Sequence, residues 1–112
     1  MGMKKISVEA LAREQLLAAG TAAGGRAATT VFGGHEKVLR QTVIGILAGA
    51  KLGDRVTLDD STIFVLSGRV RLCSGNDYWE ARTGTLLVVP DASHSLEAVE
   101  DSAVLLTVAK MH

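Results

Sequence analysis

Cysteine occurs once in these 112 residues, and that single thiol, Cys73, excludes an internal disulfide framework and any cysteine-based zinc cluster. It stands in "RVRLCSG" beside a turn, a place for a small packing side chain rather than a nucleophile. Net charge is missing too. Twelve basic and twelve acidic residues cancel, which argues against the broad cationic surface that nucleic acid or an anionic membrane requires. No apolar run approaches the roughly 20 residues of a membrane-spanning helix, and nothing resembles a signal peptide. A cytoplasmic location with no membrane partner is therefore expected. The chain also lacks an internal repeat, a low-complexity tract and a helix-turn-helix with a basic recognition helix, so direct nucleic-acid binding is not expected. "GGRAATTVFGG" has paired glycines but neither the spacing nor the following helix of a phosphate-binding loop.

What the chain does have is apolar material, 47% of its residues, enough for one folded domain. "ISVEALAREQLLAAG" reads as a short helix. Ser7 is placed to cap it, Glu9 suits the positive end of its dipole and Gly20 stops it. Val8, Leu11, Ala12, Leu16 and Ala19 form a docking stripe. The small, glycine-rich residues 20–28 read as a linker, which divides the chain into a 1–28 helix-and-linker segment and a 29–112 β domain.

From there strands dominate. "RVRL" alternates Arg69 and Arg71 with Val70 and Leu72, the pattern of a half-buried strand with the aliphatic pair inward. "TIFVLSG", "TLLVV" and "AVLLTVA" are short and rich in β-branched residues, with turn signals such as "SGND" and "PDAS" between them. The β-branched centre of "LRQTVIGILAG", bracketed by glycines, favours a strand over a helix. Many short antiparallel strands with glycine turns imply an all-β sandwich or barrel. Two of the four aromatics, Tyr78 and Trp79, are adjacent and would face opposite sides of a strand, so packing is the expected role of either.

Two glycine-bounded stretches carry the chemistry. Gly49 is followed by five residues, then Arg55, Val56, Thr57, three residues, Ser61, six residues and Gly68. Gly84 is followed by five residues, then Pro90, Asp91, Ala92, Ser93 and His94. This spacing and order resemble the two motifs of the cupins, small jelly-roll β-barrels. The resemblance covers roughly residues 30 to 110. It implies an all-β cupin jelly-roll barrel preceded by one short helix, and a homodimer, for which the exposed edges of a short barrel supply a physical reason.

In metal-binding cupins the first motif supplies two histidines and a carboxylate, and the second supplies another histidine, to a divalent metal such as iron, manganese, nickel or zinc. Arg55, Thr57 and Ser61 replace the first three here; Ala92 replaces a glycine and His94 comes one residue early. Arginine has no lone pair to give and repels a cation. The resemblance therefore implies a cupin without the usual metal cofactor, whose Arg55, Thr57, Ser61 and His94 contact a small, anionic molecule in a sensing or accessory role. Histidine is the side chain able to change its charge near neutral pH unaided. The alternative is a metal-dependent isomerase or dioxygenase holding a divalent transition metal with a rearranged set, His35, Asp60 and His94. A third reading is a stand-alone regulatory module.

Overall fold

The structure, a computed structural model, describes residues 3–55 and 59–110, and of Asp54 and Arg55 the backbone alone. Its elements are α1 (Val8–Ala19), β1 (Arg26–Phe32), β2 (Leu39–Ile46), β3 (Lys51–Arg55), β4 (Asp60–Ser67), β5 (Arg69–Ser74), β6 (Asp77–Arg82), β7 (Leu86–Val88), β8 (His94–Ala98) and β9 (Ser102–Ala109). Two antiparallel sheets stack face to face, a five-stranded one in the order β1-β2-β9-β4-β7 and a four-stranded one in the order β3-β8-β5-β6. This is the jelly-roll architecture. No helix among the described residues is long and apolar enough to cross a membrane.

The core follows from the period of two along each strand. Ile44, Ile46, Ile63, Val65 and Val104 come from the larger sheet, and meet Val70, Leu72, Ala81, Leu96 and Ala98 from the smaller. Val70 and Leu72 are buried as the alternation of "RVRL" requires. Burying a leucine side chain contributes about 1.5–3 kcal/mol, so this one dipeptide period anchors β5. Arg69 and Arg71 lie on the opposite, outer face. There Lys51, Glu97, Arg71 and Glu80 are successive register partners across all four strands. Arg71 Nη2 donates to Glu80 Oε2 at 2.9 Å and Arg71 Nη1 lies 3.5 Å from Glu97 Oε1. Arg69 Nε is 3.8 Å from Glu80 Oε1 and 3.7 Å from Glu100 Oε2. The Arg71 guanidinium also sits 4.9 Å from the centre of the Tyr78 ring, a cation–π contact. Trp79 is the register partner of Leu72 on the edge strand β6 and is half-exposed.

The larger sheet is covered on its outer face by α1. Ser7 caps the helix by accepting the Ala10 N–H at 3.2 Å, with Glu9 in its first turn. Its stripe is as expected: Ala12 and Ala19 are buried, while Val8, Leu11 and Leu16 are half-buried. The helix finds a seat because Ala27, Gly45 and Ala103 are register partners across β1, β2 and β9, leaving a shallow row of small residues. A Cβ added to Gly45 would stand 2.5–2.7 Å from the backbone of Gln15 and Leu16. Glycine here allows helix backbone to lie directly on strand backbone. β1 begins at Arg26, inside the stretch expected to be linker. Small residues make poor strand formers alone, but pairing with β2 from Arg26↔Ile46 onward supplies the order.

Candidate functional site

The two sheets do not close on each other along their whole length. Between them lies a cavity of about 490 Å³. Its apolar wall is Ile44, Leu52, Ile63, Val89, Leu96, Leu106 and Val108, and its polar groups come from Arg26, Thr30, Arg40, Thr42, Asp59, Ser61, His94 and Ser95. Six strands contribute, β1, β2, β3, β4, β8 and β9, because each exposes one face inward and the ends of those faces are not filled.

His94 opens β8 and shares its inward face with the buried Leu96 and Ala98, which carries the imidazole to the cavity wall. Its Nδ1–H donates to the Ala92 carbonyl at 2.9 Å. A carbonyl only accepts, so the proton is on Nδ1 and the neutral ring keeps its lone pair on Nε2. The shortened turn therefore fixes the ring's tautomer without turning it away from the cavity. Ser61 lies on the inward face of β4 with Ile63 and Val65, and it too lines the cavity. Arg55 is the register partner of His94 across the β3–β8 ladder, beyond an irregularity that follows Leu52. Thr57 lies outside the described residues.

The rearranged metal set is not assembled. His35 sits in the exposed turn between β1 and β2. Asp60 is exposed and next to inward-facing Ser61, so the two-residue period sends it to the outer face of the sheet. Among the described residues no group of three or more His, Cys, Asp or Glu side chains is placed to hold a metal ion. The donor chemistry at the motif positions does not fit one either, since a single imidazole faces an arginine strand position and a serine hydroxyl.

Sequence reasoning missed Arg40 and Arg26. Arg40 stands on β2 at two-residue intervals from Thr42, Ile44 and Ile46, so extending the core alternation backwards through "LRQTVIGI" was the available signal. Arg26 Nη1 donates to the Lys51 carbonyl at 3.3 Å and ties β1 to β3 at one end of the cavity. Asp59 lines the cavity and is itself engaged in an interaction.

No protein-family model and no curated protein matches the sequence. Solved structures do. A conserved protein of unknown function from Streptococcus pyogenes superposes with a TM-score of 0.70 at 25% identity, over 78% of this chain and 75% of that one. An RmlC-like cupin protein from Desulfovibrio desulfuricans gives 0.66 at 25% identity, over 75% and 81%. A salicylate 1,2-dioxygenase variant from Pseudoaminobacter salicylatoxidans, in complex with gentisate, gives 0.74 at 21% identity over 91% of this chain. This chain spans only 31% of that enzyme.

Proposed function

We propose that this chain, a small RmlC-like cupin, binds a small anionic molecule between its sheets and acts as a sensing or accessory protein. The observation that carries this reading is the cavity of about 490 Å³ with an apolar wall and a few converging polar groups. Volumes of about 300–1,000 Å³ with that lining are the ordinary form of a small-molecule site. Ser61 and the fixed imidazole of His94 are its recognition groups on two different strands, and Arg55 and Thr57 complete the set in the motif. Protonating His94 adds a second donor and a positive charge, and charge acts more strongly in a partly desolvated cleft than in water. The protein works in the cytoplasm as a homodimer, without membrane or nucleic-acid partners. Leu86 and Val88 on the short edge strand β7 are exposed apolar residues that a second copy would cover. The isomerase or dioxygenase reading would need a metal-ligand set that the described residues do not bring together.

A calorimetric screen of small organic acids and neutral analogues at mildly acidic and mildly basic pH tests the reading. Acids should bind, more tightly at the lower pH, and both Arg55→Met and His94→Ala should weaken them. Binding that ignores pH and both substitutions, or no binding by any compound, would remove the support for this site.

A further inference from the structure

Among the described residues of the cavity wall, Arg40 carries a charge that no ion pair balances. The arginine ion pairs among the described residues of the chain involve Arg13, Arg69 and Arg71, none of which lines the cavity, and not Arg40. Arg26 already donates to the Lys51 carbonyl and serves as a tie between strands. Asp59 carries the opposing charge in the wall and is already engaged. Two arginines against one aspartate leave the described wall with an excess positive charge, whatever the state of His94. Arg40 is an exposed residue whose stem is bounded on one side. Gly33, at φ 129°, passes so close that a Cβ there would lie 3.0–3.1 Å from the Arg40 Cα, Cβ and Cγ. Packing of the stem lowers the entropy lost when the guanidinium takes a ligand, which is the benefit of preorganisation.

Resting on the cavity reading above, we infer that the ligand is an amphipathic monocarboxylate, with Arg40 as the residue that selects the carboxylate. The planar guanidinium matches a carboxylate with two parallel N–H donors. Ile44, Ile63, Leu96, Leu106 and Val108 form an apolar stretch of the same wall, beyond Thr30 and Thr42, and that stretch fits an apolar body. One such cation selects one anionic group. Ser61 and His94 lie on the far strands and accept or donate to a polar substituent on that body.

Phenylacetate and its neutral isostere phenylacetamide separate recognition of the charge from recognition of the apolar body. Both have the apolar body, and only the acid has the charge. Charge-assisted hydrogen bonds contribute enough that the wild-type protein should prefer the acid by roughly ten- to a hundredfold in calorimetric titrations. Arg40→Met should erase that preference while leaving the amide's affinity within about twofold. Arg40→Lys, which keeps the charge and loses the fork, should retain part of it. If Arg40→Met keeps the full preference, the assignment of Arg40 is overturned while the cavity reading stands. Loss of both compounds in both variants would show Arg40 shaping the wall rather than choosing the ligand, and overturns it too. If the wild-type protein binds neither compound, the monocarboxylate assignment falls, and binding of other acids in the wider screen then decides the cavity reading separately.

Discussion

Ser102 fills the space that a side chain on Gly68 would need. A Cβ built on Gly68 would overlap the Ser102 hydroxyl and the Asp101 carbonyl, and Gly68 sits at φ 90°, where only glycine is unstrained. Ser102 is completely buried. Its hydroxyl accepts the Arg69 N–H at 3.0 Å and donates to the Glu100 carbonyl at 2.7 Å, with the Arg69 carbonyl 3.1 Å away as a second acceptor. The last glycine of the first motif is therefore a packing requirement of the β4–β5 turn. Ser102→Ala should cost about 1–2 kcal/mol by leaving the Arg69 amide without its partner. Gly68→Ala should cost more, about 2–4 kcal/mol, from the left-handed backbone and the overlap together. Urea unfolding of the two variants measures both; a Gly68→Ala protein as stable as its parent would contradict the geometry.

The seat of α1 makes a second demand. Gly45→Ala places a methyl group against helix backbone, which has no rotamer by which to yield. A loss of about 1–3 kcal/mol is expected, as for other overpacked sites. Ala103→Gly, which only deepens the groove, should leave α1 in place. Hydrogen exchange across residues 8–19 would show the helix loosened by the first change and protected in the second.

Acid should weaken the outer face of the smaller sheet. The Arg71 hydrogen bond to Glu80 holds the Glu80 carboxyl below its usual range, with Arg71, Arg69 and Arg82 charges adding to it. A carboxylate with a depressed native pKa contributes stability that is present above the ordinary glutamate range. That contribution is lost as pH falls through the lower native value. Because the group is partly exposed, the effect is small. Glu80→Gln should lower the urea midpoint at pH 7 and make little difference near pH 2. A difference that grows with acid would mean that the ionised Glu80 does not stabilise the fold.

The motif substitutions lead to a prediction about metal. Arg55→His, Thr57→His and Ser61→Glu together restore three donors at unchanged spacing, with His94 the register partner of position 55 on the neighbouring strand. Elemental analysis of tag-free protein should find well below one transition-metal ion per parent chain and a large rise in the triple variant. Stoichiometric metal in the parent, lost on His94→Ala, would instead revive the metal-dependent enzyme.

The strand alternation of "RVRL", the capped amphipathic helix and the spacing of two glycine-bounded motifs were decided by local chemistry. They were legible because a period of two or 3.6 residues, a cap and a turn are properties of short stretches. Even Gly68 could be marked from its place in the motif, though its reason, Ser102, lies across a ladder. The cavity was another matter. Arg40 and His94 are 54 positions apart and meet one space only because β2 and β8 belong to opposing sheets. Asp60 and Ser61 are neighbours in sequence, yet one register step sends them to opposite faces. Register and sheet stacking are fixed by the burial of the whole core at once, so tertiary structure alone decided which polar residues share the pocket.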